Sequence, residues 1–224
     1  VMPLGGTSNH FRLQTLRQLG GWDAYNVTED ADLGVRLARR GLRTATNDTR
    51  TLEDAPLHLK TWIGQRTRWM KGWMQTMVVH NRRPARLLQD LGLVKFVLFE
   101  FTIIGMLLAP LLHIGMWPMV IWMYVASGGT LQEPSAWGAA CIAALVLGHG
   151  APILLNIQGL SRSGQKRLWL YQLALPLYWL LVAFATILAL VEFVRSPFHW
   201  RKTPHEVTKT KPVKPGAALA APAL

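Results

Sequence analysis

Hydrophobic and polar positions divide this chain into two regimes. Over roughly the first 90 residues they recur on helical spacings broken by glycines, and from Leu91 onward they merge into apolar runs of bilayer-crossing length. Leu13 to Leu19 predicts a short helix closed by Gly20-Gly21. Leu33, Val35, Leu37 and Leu42 predict a second, ending at Gly41. Thr28 stands at its N-cap, with Glu29, Asp30 and Asp32 in the first turn, where the helix dipole favours negative charge. Thr44 to Leu52 reads as a strand broken by Asn47-Asp48, and Glu53-Asp54-Ala55-Pro56 as a turn. Leu57 to His80 predicts a long helix with a kink near Gly64, followed by a basic linker, Asn81 to Asp90. On that helix Gln65, Arg68, Trp69, Gly72, Trp73 and Thr76 share one face, and Ile63, Arg66, Met70, Met74 and Met77 line another.

Leu91 to Val125 is interrupted only by Lys95, Glu100, Pro110, His113 and Pro118. A straight helix of that length would reach about 50 Å against a hydrocarbon core of about 30 Å, so the run predicts a hairpin with its break between Pro110 and Pro118. Further spans are predicted at Trp137 to Ile157 and Leu168 to Val194. Three or four crossings satisfy the pattern. The basic loop Gln158 to Arg167 favours a cytoplasmic position, whereas a count of four spans places it outside. Glu100, His113, His149 and Glu192 lie in or near these runs and are expected to face the bundle interior or an aqueous path, and the histidines show no metal-ligand spacing.

Composition sharpens this picture. Of 224 residues 50% are hydrophobic, the net charge is +12 and there is a single cysteine, Cys141, inside an apolar run. No intrachain disulfide can form. The positive charge comes in clusters such as Arg66-Arg68-Lys71 and Arg82-Arg83-Arg86 that flank apolar runs; these suit an anionic leaflet, and no nucleic-acid motif accompanies them. The opening Val1-Met2-Pro3-Leu4 lacks a signal-peptide pattern and reads as a domain interior, so a longer polypeptide is expected. Beyond Glu206, Lys, Pro and Ala content predicts disorder.

The candidate chemistry lies on the long helix and the segments before it. Arg68 offers a donor fork suited to phosphate oxygens, and Trp69 and Trp73 offer flat apolar faces on which a sugar can rest. An interfacial helix with its cations at lipid headgroups explains the same residues. Gly5-Gly6-Thr7-Ser8 lets a backbone pass close to a ligand or makes a plain turn. Asp30 is either part of a helix start or a carboxylate fixed to take a proton from a hydroxyl.

Gly5-Gly6-Thr7-Ser8-Asn9-His10-Phe11-Arg12, Thr28-Glu29-Asp30, Glu53-Asp54-Ala55-Pro56 and Gln65-x-x-Arg68-Trp69, in this order ahead of apolar spans, resemble glycosyltransferase family 2 enzymes of the cellulose synthase type. The resemblance implies the C-terminal half of an α/β GT-A-type domain followed by an α-helical transmembrane bundle. Residues 1–56 would be the acceptor-side half, 57–90 an amphipathic interface helix and basic linker, 91–194 the membrane helices and 195–224 a basic tail. It implies Asp30 as catalytic base, Gln65 and Arg68 on the donor diphosphate, and Trp69, Glu29 and Asn9 toward the acceptor. The tail residues Trp200, Lys202, Thr203 and His205 resemble a segment that closes over the nucleotide, although they depart from the cellulose synthase gating sequence.

By the same resemblance the partners are a nucleotide sugar, most simply a UDP-sugar, a β-linked polysaccharide or lipid acceptor, and membrane lipids. The location is a bacterial-type inner membrane with the catalytic part cytoplasmic. The full enzyme would use Mg²⁺ or Mn²⁺, but Asp23, Asp48 and Asp54 do not stand in the family's cation-binding context. The chain alone is therefore expected to be inactive. A non-catalytic membrane scaffold or transporter subunit remains the alternative outside enzymes.

Overall fold

A computed structural model describes residues 4–46, 51, 53, 55–129 and 135–199. Helices account for all of its regular structure: among the described residues there is no strand, so the expected α/β domain is not what this chain forms. Of the predicted strand Thr44 to Leu52, residues 44–46 and 51 are irregular, and 47–50 and 52 lie outside the described residues. A strand needs a neighbour for its N–H and C=O groups. Among the described residues the opening loop meets this segment through side-chain hydrogen bonds, Thr7 donating to Glu53 and Ser8 bonding Thr51 at 2.9 Å.

Helix α1 (Leu13–Gln18) ends where Gly20 and Gly21 take φ of 81° and 73°, the left-handed backbone that side-chain-free residues adopt cheaply. Helix α2 (Glu29–Arg39) buries Ala31, Leu33, Val35 and Leu37. Thr28 holds the N-cap position but its hydroxyl caps nothing, because Asn26 Oδ1 accepts it at 3.3 Å and also accepts the Thr28 N–H at 2.9 Å. Helix α3 (Leu59–His80) runs unbroken through Gly64. The supposed linker is largely a helix, α4 (Pro84–Leu91), started by a proline that needs no N–H donor there and seated by Leu87 and Leu91.

Helix α5 (Leu93–Ala126) passes through Pro110 and Pro118 without turning back, which overturns the predicted hairpin. Between the prolines the chain offers a single turn residue, Gly115, among Leu111, Leu112, Ile114 and Met116, and each proline forfeits one backbone bond that a reversal would multiply. Helix α6 (Ala136–Arg162) starts at Ser135, whose Oγ accepts the Gly138 N–H at 3.2 Å. A 3-10 helix (Lys166–Ala174) then leads into α7 (Leu175–Arg195). Three helical stretches among the described residues are long and apolar enough to cross a membrane: Leu93–Ala126, Ala136–Arg162 and Lys166–Arg195. This is a membrane protein.

Helix α7 packs along both α3 and α5. One core results, with Met70 and Met74 of α3, Leu87 and Leu91 of α4, Phe99 and Ile103 of α5 and Val182 of α7 in a single cluster. Of the four ionisable groups placed in apolar runs, His113 is buried, bonds the Pro176 carbonyl at 3.0 Å where the 3-10 helix becomes α7, and packs on His149 at 4.9 Å between ring centres. The Glu100 Oε1 is buried without a partner, and Glu192 meets Lys71 at 3.4 Å.

Candidate functional site

The site is assembled where the start of α2 docks on the middle of α3. Asn26 donates to Thr76 Oγ1 at 2.9 Å, and Gln75 Oε1 accepts the Val27 N–H at 2.9 Å. Thr28 lies flat on Gly72: a Cβ built there would stand 2.7 Å from the Thr28 Cβ and closer still to its hydroxyl and methyl. Glycine in a helix interior costs about 1 kcal/mol relative to alanine. Its use at position 72 is explained by this close approach. Two residues beyond Thr28, Asp30 is half-buried, and its Oδ2 faces Gly6, where an added Cβ would lie at 3.3 Å. Gly6 therefore lets the opening loop pass close to the Asp30 carboxylate.

Arg68 precedes Gly72 by one helical turn on the same face of α3, so the α2 entry and Arg68 share one side of that helix. Its Nε is buried with no hydrogen-bond partner. A buried guanidinium N–H with no acceptor is rare, and an oxyanion ligand is a natural complement for it. Trp69 is partly exposed, with the Arg66 guanidinium 4.1 Å over its ring; Arg66 also lies 5.4 Å over Trp62. One face of the Trp69 indole is thus taken by a cation. Gln65 is half-buried nearby on the same stripe.

Glu29 is exposed and lines a separate cavity of about 300 Å³ with Trp22, Tyr25 and Phe198. Asn9 is exposed and donates to the Gly5 carbonyl, which shapes the loop over Asp30. Trp200, Lys202, Thr203 and His205 lie outside the described residues. Among the described residues no three His, Cys, Asp or Glu side chains stand together, so these residues do not by themselves fit a divalent cation.

Sequence reasoning missed the hub beneath this site. Lys71 is 1% exposed, donates to the His199 carbonyl at 2.5 Å and pairs with Glu192. It does not face a leaflet as the basic cluster Arg66-Arg68-Lys71 suggested. One turn on, the Gln75 amide donates to the Pro197 carbonyl at 2.8 Å and the Tyr25 carbonyl at 3.3 Å. The segment after α7 is thereby tied to both Lys71 and Gln75, and Gln75 ties the segment before α2 to it. Further along α3, His80 Nε2 and Asp32 Oδ1 are 2.9 Å apart, both buried, and Arg36 Nε donates to Asp32 Oδ2 at 2.7 Å. Burial pushes the Asp32 pKa up, but the His80 bond and the Arg36 charge outweigh it and hold the carboxyl below its ordinary 3.8.

Residues 1–203 match the family model described as glycosyl transferase family group 2. The chain belongs to that family. Among curated proteins it is 36% identical over 77 residues to the UDP-forming cellulose synthase catalytic subunit of Komagataeibacter sucrofermentans, a match covering 34% of this chain and 10% of that protein. It is 34% identical over 68 residues to a probable glucomannan 4-beta-mannosyltransferase of Oryza sativa subsp. japonica, covering 30% and 12%. It is 33% identical over 73 residues to the probable glycosyltransferase YdaM of Bacillus subtilis, covering 32% and 17%. The matched part is thus less than a fifth of each of these relatives. No solved structure matches. As a family 2 member, the chain carries its Thr28-Glu29-Asp30 segment and its Gln65-x-x-Arg68-Trp69 helix locked together by the contacts at Gly72, Gln75 and Thr76.

Proposed function

We propose that the protein containing this chain is an inverting membrane glycosyltransferase that moves a sugar from a nucleotide sugar, most simply a UDP-sugar, to a β-linked polysaccharide. Residues 1–56 contribute the acceptor side of the site, and the divalent cation, Mg²⁺ or Mn²⁺, is held by residues outside this chain. The carboxylate of Asp30, at the positive end of α2, accepts the proton of the acceptor hydroxyl as its oxygen attacks the anomeric carbon. The bond to the nucleotide diphosphate breaks on the opposite face, and the leaving oxygens gather negative charge. Arg68 and Gln65 donate to those oxygens, which stabilises the transition state more than the ground state. The exposed part of Trp69 supports the acceptor sugar, Asn9 shapes the loop over Asp30, and Glu29 meets the acceptor from the cavity it lines with Trp22, Tyr25 and Phe198. The catalytic part faces the cytoplasm, where nucleotide sugars are made.

The observation that carries this reading is the orphaned Arg68 Nε on the face of α3 that receives the Asp30 segment. The test is Asp30→Asn in the full-length membrane protein. Turnover should fall roughly 10³-fold with donor affinity retained, because a missing base affects the chemical step alone. Arg68→Ala should weaken nucleotide binding and turnover together. Unchanged sugar transfer in the Asp30→Asn protein would reduce this chain to a membrane scaffold. Product that partitions into organic solvent would reassign the acceptor to a lipid.

A further inference from the structure

An arginine-lined cavity lies away from Arg68. A cavity of about 470 Å³ opens between the C-terminal parts of α2 and α3 and helix α4, and four arginines line it: Arg36, Arg39, Arg40 and Arg86. His80, which also lines it, is 12 residues along α3 from Arg68, about 18 Å of helix rise. The cavity is therefore separate from the diphosphate position proposed above.

Its acidic groups are already engaged. Asp32 is held by His80 and Arg36, Asp90 accepts from Arg39 Nε at 2.9 Å, and Asp23 accepts the Tyr25 N–H at 2.9 Å. The cationic groups are not all engaged. The Arg36 Nη2 is buried with no acceptor, although Nε and Nη1 of the same fork bond Asp32 and Leu19. The Arg40 and Arg86 side chains make no hydrogen bond or ion pair among the described residues. A buried donor without a partner beside two unpaired guanidiniums is what a bound oxyanion would complete. Only Gly92 separates α4 from the apolar helix α5, so this cavity sits at the end of a candidate span, where lipid phosphates lie.

We infer that this cavity binds a terminal phosphate dianion through Arg36, Arg40 and Arg86, with Arg39 fixed by Asp90 as its wall. The site does not depend on the catalytic reading, since its test needs no sugar transfer. Two sources present this chemistry, a phosphatidic acid headgroup and free phosphate. The full chain is reconstituted in phosphatidylcholine nanodiscs, with or without phosphatidic acid, and retained lipid is counted by native mass spectrometry. Thermal unfolding of the undoped sample is followed with added inorganic phosphate. The Arg40→Gln/Arg86→Gln protein, altered only at exposed side chains, should bind at least about tenfold more weakly, because charge-assisted bonds are lost at both positions. Arg82→Gln/Arg83→Gln removes the same charge from the neighbouring turn and should stay within about twofold of the unmodified chain. Saturable retention of phosphatidic acid assigns the site to lipid, and a phosphate-dependent thermal shift lost in Arg40→Gln/Arg86→Gln assigns it to a soluble anion. Binding of neither probe, or equal loss in both double variants, overturns the inference.

Discussion

Gly72→Ala tests whether the catalytic geometry depends on the contact between α2 and α3. The new Cβ would lie 2.7 Å from the Thr28 Cβ, and its surroundings are buried. Ordinary carbon contact is about 3.5–4.0 Å, so the two helices must separate by about 1 Å. Overpacking of this kind costs about 1–3 kcal/mol, while alanine in place of glycine returns about 1 kcal/mol of helix propensity, leaving a net loss of about 0–2 kcal/mol. Stability should fall by no more than this. Turnover should not be spared, because Asp30 is two residues from the wedge and a misplacement of about 1 Å costs about 10²-fold. The assay is sugar transfer by the full-length protein alongside its thermal unfolding and nucleotide affinity. Thr28→Gly in the same protein makes room for the alanine and should restore most of the lost rate. Unaltered turnover in Gly72→Ala, or no recovery in the double variant, would refute the claim that this contact sets the position of Asp30.

Two other expectations follow from the hub and from the buried acid. Lys71→Met leaves Glu192 and the His199 carbonyl without their lysine; because solvent reaches Glu192, the cost should be about 1–3 kcal/mol. Tryptic cleavage at the exposed Arg195 should quicken, and an unchanged cleavage rate would show that Lys71 does not hold this segment. Because the folded-state pKa of Asp32 is depressed below 3.8, its contribution to stability is complete above about pH 4 and disappears as pH falls through the lower, folded value. Thermal midpoints measured from pH 6 to 3 should drop steeply at the acid end, and the drop should be shallower in Asp32→Asn. An identical acid slope in that variant would remove Asp32 as the cause.

What could be read from the sequence was local. The helices α1, α2 and α3 follow from apolar spacing and glycine stops, and the apolar runs mark the bundle. Lys71 was legible only as one more charge in a basic cluster, because its partners Glu192 and His199 are more than a hundred residues away and no spacing rule connects them. Gly72 was a better clue, since glycine inside a helix marks a close neighbour. The strand at Thr44 followed from local propensity, but a ladder is a property of two segments and no partner segment is present among the described residues. Pro110 and Pro118 misled in the opposite direction: they weaken a helix, yet in a run this apolar there is nothing polar enough to reverse it.

The cluster that joins Met70 and Met74 to Phe99, Ile103 and Val182 has a thermodynamic corollary. A helix that carries Arg68 and a helix apolar enough for a bilayer draw on the same dry interior, so loss of packing on one removes apolar contacts from the other. Loosening of α7 by its surroundings is felt at Arg68 and its neighbours on α3 without any intervening hinge, and the lipid environment becomes a thermodynamic variable of the proposed site.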